Sequence, residues 1–467
     1  MSVVLSRYLH FPLADFIKRT PVRARLNDLE RTQWLAPESL REDASRKLAL
    51  VIETAKREAP FYARSLAGLA EVRPENAIER LEQAPMLTKG DIFLHRDAMR
   101  SRCRRRGSYR GHTSGSGGEA LEFYFSRDFL TWTEAAQWRG RGWWGIRRGD
   151  PILTLWGRMV SDPKSAARTA RRERLRNWLR ISAFELSHRE LLAHYRAIRE
   201  FEPRAIYGYS SAIYQLALFY SEHALPPPPG LRAIIFTADA LLSFQRRVVV
   251  ETLGAPAVCE YGSSEAGAFA FECREGGVHV ASENIHLEIL REGRPVADGE
   301  EGEVVVTVLR NLAMPLIRYN IGDWARKLPG RCGCGRHSPR IELTNTKVVD
   351  LVSTSSGGVA SGQFFDYILI ELIDRGLRGI RQFLVIQKSL DRFIVQVVPG
   401  PEFGPECLEL FERRMRQQLG EQIEVAFEKV SEIPREPAGK IRCFRSEIGS
   451  VPEEAQTAGA TERPTAG

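Results

Sequence analysis

Apolar positions recur at two spacings along this chain, and the alternation between the spacings predicts its layout. Over residues 38–59 they fall every three or four positions (Leu40, Leu48, Val51, Ile52, Ala55), the period of a helix with one buried face, and Pro60 ends the run. Residues 77–84 and 128–144 repeat that period, the second carrying Trp132, Trp138, Trp143 and Trp144. Short apolar runs at 151–156, 204–207, 231–236 and 257–261 read as buried strands, and helical patterns at 188–201, 212–223 and 243–253 lie between them. Strands alternating with helices argue for a mostly parallel α/β sheet. The pattern then changes: 285–290 and 303–309 read as antiparallel strands joined through a turn-rich segment. Beyond residue 350 a hairpin (382–387, 392–398), a helix (406–419) and a strand (423–428) form a small α+β unit. Residues 450–467, rich in Ala, Thr, Glu and Pro, read as a disordered tail.

Composition sharpens this picture only in places. At 467 residues the chain is long enough for two or three globular units. No apolar run reaches the ~18–20 residues needed to cross a bilayer, and the first residues lack a basic stretch followed by a long apolar core, so a cytoplasmic location is expected. The net charge of +8 favours polyanionic ligands without separating nucleotides from nucleic acid, anionic lipid or acidic polysaccharide. An arginine-rich run at 158–180 is either a solvated helix face or an amphipathic helix lying on a membrane or acidic polymer. The seven cysteines are odd in number and unevenly spread, which excludes a secreted disulfide scaffold.

Four stretches carry candidate chemistry. Residues 112–119, His-Thr-Ser-Gly-Ser-Gly-Gly-Glu, are a poor helix and a poor strand, but their glycines let backbone N–H groups turn toward a phosphate. The same composition also suits an ordinary turn. The alternating run 121–125 after it reads as a strand. Residues 260–265, Glu-Tyr-Gly-Ser-Ser-Glu, leave the end of a strand, where α/β sheets bind ligands. There a tyrosine can stack on a purine and a carboxylate can hold Mg²⁺ against phosphate. Residues 318–323, Arg-Tyr-Asn-Ile-Gly-Asp, place an aspartate after a tight turn, suited to two ribose hydroxyls; residues 434–440, Pro-Arg-Glu-Pro-Ala-Gly-Lys, present a lysine on a loop.

In that order the four stretches resemble the adenylate-forming superfamily of acyl-CoA synthetases and related ligases. The likeness is greatest to the phenylacetate–CoA ligase and coenzyme F390 synthetase group, in its capsule-biosynthesis-type branch. The fold implied is a large N-terminal adenylation domain (1–346) of mixed and parallel sheets with helices, followed by a small mobile α+β lid (347–449) and the tail (450–467). The resemblance implies two half-reactions. A carboxylate attacks the α-phosphate of ATP, giving an acyl-adenylate and pyrophosphate; a nucleophile, CoA first among candidates, then takes the acyl group and releases AMP. It assigns Thr113, Ser114, Gly115, Ser116 and Gly117 to the phosphates, and Ala238, Asp239, Glu260 and Tyr261 to the adenine site. Glu265 would bind Mg²⁺, Asp323 and Lys347 the ribose, and Lys440 the carboxylate and α-phosphate. The chain departs from the group at 116–119, Ser-Gly-Gly-Glu in place of a Ser-Thr-Gly followed by Lys and Pro, and at the hinge, where Lys347 and Asp350 stand.

Cys273, His279, Cys332 and Cys334 supply three thiolates and an imidazole, a tetrahedral set suited to structural zinc, the alternative being unconnected free cysteines. Tyr124 and the tryptophans at 132–144 wall an acyl pocket or fill a core. Two further readings of the whole chain stand beside the CoA ligase. One transfers the acyl group to a sugar or other acceptor in polysaccharide assembly. The other is a non-catalytic, zinc-bearing basic protein that binds nucleic acid or membrane.

Overall fold

The computed structural model describes residues 2–104, 107–113, 121–157, 163–183, 186, 188–239, 241–345, 351–353, 359–362, 364–377, 379–433 and 443–448. A hairpin of β1 (Tyr109–Thr113) and β2 (Leu121–Phe125) stands ahead of a twelve-stranded sheet whose two halves differ in strand direction. The parallel half contains β3 (Ile152–Leu155), β4 (Trp178–Ile181), β5 (Ala205–Tyr209), β6 (Ala233–Thr237) and β7 (Ala257–Ser263), in the order β4–β3–β5–β6–β7. Helices Pro163–Arg176, His188–Phe201, Ser210–Glu222 and Ser243–Leu253 make the crossovers. Strands covered on both faces need continuous apolar sequence, and all four residues of β3 are buried.

The antiparallel half contains β8 (Gly267–Glu272), β9 (Val278–Val280), β10 (Ile285–Arg291), β11 (Arg294–Pro295), β12 (Glu301–Val308), β13 (Tyr319–Lys327) and β14 (Arg340–Asn345). Its order continues from β7 as β8–β9–β14–β13–β12–β10–β11. β7 is therefore the seam, parallel to β6 on one side and antiparallel to β8 on the other.

The C-terminal region holds a short hairpin, β15 (Leu351–Ser353) with β16 (Val359–Ser361), and a four-stranded sheet. That sheet, ordered β19–β18–β17–β20, is built from β17 (Ile380–Gln387), β18 (Arg392–Pro399), β19 (Glu424–Lys429) and β20 (Phe444–Ser446), with helices Phe364–Asp374 and Pro405–Leu419. Its apolar core is continuous with that of the parallel half: Phe364, Phe365 and Ile368 belong to one cluster with Leu155, Tyr209 and Ile213. The Tyr209 and Tyr367 hydroxyls meet across this junction at 2.6 Å.

One expectation changes. The arginine-rich run at 158–180 is not one amphipathic helix: Asn177, in the left-handed region at φ 63°, ends helix Pro163–Arg176, and Trp178 opens β4 at the sheet edge. Of the two alternatives for the aromatic residues at 132–144, core packing describes the tryptophans, although Trp138 and Trp143 also border a groove under the N-terminal helices. Trp132 and Trp138 are buried with Val22 and Leu29 of helix Val22–Thr32, while Trp143 and Trp144 pack against that same core. Among the described residues no helix is long and apolar enough to cross a membrane.

β7 turns into β8 so closely that Gly262 has no room for a side chain. A Cβ there would run into the Gly267 carbonyl oxygen and the Ala268 Cα, both backbone atoms. Gly262→Ala should lower unfolding stability by about 1–3 kcal/mol or more through forced backbone movement, read as a reduced urea midpoint. An unchanged midpoint would contradict the close approach.

Candidate active site

The C-terminal ends of β6 and β7 and the start of β13 bring together the residues expected to meet a nucleotide. Side chains alternate along a strand, so Glu260 and Tyr261 leave β7 on opposite faces. On one face Glu260 is buried and accepts two hydrogen bonds from Arg141, each 3.0 Å, and one from Gln137 at 2.9 Å. Arg141 also lies over the Tyr207 ring, 4.4 Å from its centroid. The carboxylate of Glu260 is thus committed to helix Arg127–Gly142, and only its main chain is left to face a ligand at the strand end.

On the other face the Tyr261 hydroxyl donates to Asp323 at 3.0 Å. The Tyr319 hydroxyl donates to Glu265 at 3.0 Å. Glu265 lies in the β7–β8 turn, which is fastened by the Ala266 N–H donating to Ser263 Oγ at 3.1 Å. Burial first, then the neighbouring carboxylates, holds both tyrosines well above the ordinary tyrosine value, so both remain hydrogen-bond donors. Asp323 acts on Tyr319 as well as on Tyr261. Two carboxylates and two phenols therefore make one cluster where the sheet changes direction, with Glu265 buried and Asp323 half-buried.

The stretch leading to Asp323 is anchored from behind. Arg318 is buried, donates to the Glu82 and Ala84 carbonyls at 2.8 and 2.7 Å, and pairs with Glu288 at 3.0 Å. The Leu87 and Asn320 backbones are joined by a 2.9 Å bond. Gly322, at φ +81°, supplies the turn that a side chain would strain. At the end of β6, Ala238 is exposed at φ +73°, and Asp239 accepts from the Ser210 and Ser211 N–H groups at 2.6 and 3.1 Å, capping helix Ser210–Glu222. Ala238 therefore faces solvent beside the seam, whereas the Asp239 carboxylate is occupied by the helix it caps.

Thr113 ends β1, and Ser114, Gly115, Ser116 and Gly117 lie outside the described residues, as do Lys347, Asp350 and Lys440. The strand that follows the loop shares a core with the cluster: Leu121, Phe123 and Phe125 belong with Tyr261, Phe269 and Tyr319. Of the basic stretch ahead of the loop, Arg110 pairs with Glu122 at 3.2 Å and Arg100 stacks 3.5 Å from the Tyr124 ring centroid. The partners Arg141, Gln137 and Tyr319 carry no signal of these pairings in the sequence, since nothing local marks a pairing across 54, 119 or 123 positions.

A second cluster lies where β8 turns into β9 and β13 into β14. One ligand atom each from Cys273, His279, Cys332 and Cys334 lies within 4.8 Å of the others. Cys273 Sγ is 3.6 Å from Cys332 Sγ, and Cys334 Sγ is 3.3 Å from His279 Nε2. Four such ligands around zinc at ordinary bond lengths would stand about 3.6–3.8 Å apart, so the residues fit that ion. His279 Nδ1 faces the Ser338 carbonyl at 3.2 Å, the contact that leaves Nε2 free to ligate. Burial lowers the His279 pKa to about 4, which keeps the ring neutral.

A family model described as the CapK C-terminal domain matches residues 353–447. Protein CapK of Staphylococcus aureus is 22% identical over 401 residues, spanning 83% of this chain and 85% of that protein. Phenylacetate-coenzyme A ligase of Escherichia coli K12 is 36% identical over 118 residues, 24% of this chain and 27% of that protein. The crystal structure of 2-hydroxyisobutyryl-CoA ligase in complex with 2-HIB-AMP and CoA superposes with a TM-score of 0.60 at 19% identity, covering 92% of this chain and 94% of that one.

The two tyrosines should respond differently to loss of their hydroxyls. Tyr319→Phe strands buried Glu265 and should lower stability by about 1–3 kcal/mol. Tyr261→Phe leaves Asp323 within reach of water and should cost about 1 kcal/mol or less. Denaturant titration of both variants checks this, and equal losses would contradict the difference in burial.

Proposed function

We infer that this chain, which belongs to the adenylate-forming superfamily on a CapK-like branch, is an ATP-dependent ligase that activates a carboxylic acid as its adenylate and passes the acyl group to CoA. The observation that carries the reading is the pairing of Glu265 with Tyr319 and of Asp323 with Tyr261, which gathers at the seam of the sheet the two carboxylates that the resemblance assigns to Mg²⁺ and to the ribose. The relatives named as phenylacetate-coenzyme A ligases support the acceptor.

In the first half-reaction a carboxylate oxygen of the acid forms a bond to the α-phosphorus, and the bond from that phosphorus to the pyrophosphate oxygen breaks. In the second, the CoA sulfur bonds to the acyl carbon while AMP leaves with the electron pair of the mixed anhydride. The chemistry asks for negative charge to be balanced and reactants to be aligned, more than for proton transfer. Tyr261 would flank the adenine ring, and Asp323, with Lys347, would take the ribose hydroxyls. The loop from Thr113 to Gly117 would hold the phosphates. Glu265 would ligate Mg²⁺, whose charge offsets that of the departing pyrophosphate. Lys440 would neutralise the α-phosphate and the incoming carboxylate. Residues 347–449 would form the lid that carries Lys440, turning about Asp350.

A second reading keeps the adenylation and passes the acyl group to a sugar or another nucleophile of surface-polysaccharide assembly; it rests on the resemblance to the capsule-biosynthesis-type branch, and the family model and the relative matched along most of the chain both carry the name CapK. Zinc held by Cys273, His279, Cys332 and Cys334 would tie the β8–β9 turn to the β13–β14 loop. All four positions would be filled by protein, which gives the ion a structural role.

ATP–pyrophosphate exchange over a panel of carboxylates, followed by thioester assay with CoA, tests the reading. Lys440→Ala should reduce exchange by about a thousandfold, the scale on which one charge-stabilising group acts, while the far-ultraviolet circular dichroism stays unchanged. Exchange at the wild-type rate would remove Lys440 from the first half-reaction. Elemental analysis of freshly purified protein should give about one zinc per chain, and Cys334→Ser should lower both zinc content and melting temperature. Metal-free protein of undiminished stability would dispose of the zinc assignment.

A further inference from the structure

The first helix of the chain is docked with its apolar side outward. Residues 3–18 form consecutive helical stretches, Val3–Leu5, Ser6–His10 and Phe11–Lys18. Their polar side is fastened to the body: Arg7 pairs with Asp150 at 2.6 Å, Ser6 Oγ donates to the Leu175 carbonyl at 3.0 Å, and Arg148 grips Asp15 at 2.7 and 2.9 Å. Val4, Leu5, Tyr8, Leu9, Leu13, Phe16 and Ile17 are exposed, Phe16 by 81% and Ile17 by 69%, and Tyr8, Phe16 and Ile17 also border a groove toward Asn27 and Trp34. Scattered exposed apolar residues need no explanation, but seven within one short helical segment do.

Cations border that face. The last turns of helix Pro163–Arg176 lie alongside, brought there by the Ser6–Leu175 bond, and Arg172 and Arg176 act electrostatically on Lys18. Arg168, Arg171, Arg172 and Arg174 are exposed on that helix, and Lys18, Arg19 and Arg23 are exposed at the end of the apolar face. An apolar stripe bordered by cations is the pattern of a helix that lies in the interface of an anionic bilayer. A second copy would set one basic border against another, so charge disfavours self-association through this face.

We propose that residues 3–18, with the arginines of helix Pro163–Arg176, form a peripheral docking surface for anionic lipid bilayers. The apolar face enters the headgroup region, and the arginines contact lipid phosphates. This surface stands apart from the β6–β7 seam, and the proposal is independent of the reaction assigned there.

Flotation of the full chain with vesicles tests it. Wild-type protein should float with phosphatidylcholine–phosphatidylglycerol vesicles and not with pure phosphatidylcholine, and salt should release it. Leu9→Glu combined with Phe16→Glu should lower the partition coefficient by roughly tenfold or more, and so should Arg171→Glu combined with Arg172→Glu. Unchanged circular dichroism and ATP–pyrophosphate exchange would show that these surface variants remain folded. Absence of wild-type binding, or full binding by folded variants, would overturn the proposal. Self-association that the Leu9 and Phe16 substitutions abolish, with no vesicle binding, would assign the face to a second copy instead.

Discussion

The buried ion pair between Arg141 and Glu260 fixes the strand on which the rest of the site depends. β7 must satisfy a parallel neighbour and an antiparallel one at once, and its end must hold Tyr261 and Glu265 toward β13. Locking Glu260 to helix Arg127–Gly142 by two parallel hydrogen bonds leaves the strand little freedom to rotate. Tyr207 stacked on the same guanidinium extends the constraint to β5, two strands away. Such a pair contributes little net stability once desolvation is counted, yet removing one partner leaves a buried charge. Its worth here lies in fixing a single position for the seam.

From the seam outward the site is built by reciprocal service between phenols and carboxylates. Each tyrosine stays protonated because it is buried beside a negative charge, and each therefore aims a donor at a carboxylate that a cation or ribose could also claim. Arg318, Gly322 and the Leu87 backbone bridge hold β13 at the right depth for this exchange. A ligand reaching Asp323 or Glu265 thus meets groups already oriented by the protein, which reduces the reorganisation that binding would require.

Elements with clean periodicity were legible in the sequence. The helices at 188–201 and 243–253 coincide with the expected ranges, and β3, β5, β6 and β7 lie where buried apolar runs mark them, whereas β4 is hidden at the end of the arginine-rich run. The antiparallel strands β8, β9, β13 and β14 were not foreseen. They are short, mixed in polarity or interrupted by register shifts such as that at Trp324, and their identity comes from partners far along the chain. β1, reading Tyr-Arg-Gly-His-Thr, becomes a strand only through β2. Tyr261, Glu265 and Asp323 stand in motifs legible in the sequence, but the pairings of phenol with carboxylate are not, because a hydroxyl partner leaves no periodic trace. The Cys273, His279, Cys332 and Cys334 set is legible from side-chain chemistry, whereas its convergence depends on two turns at opposite ends of the β9–β14 pairing. The N-terminal helix is hidden for the opposite reason: most of its apolar side chains are exposed rather than buried.

The junction between the parallel half and the C-terminal region combines two unlike contacts. The hydroxyls of Tyr209 and Tyr367 would lose little by parting, since water replaces each hydrogen bond. Phe364, Phe365 and Ile368 are different, because they complete the core that holds Leu155 and Ile213. Rotation of the C-terminal region would wet that surface, so the equilibrium between its orientations would carry a positive heat capacity change and shift with temperature along a curve.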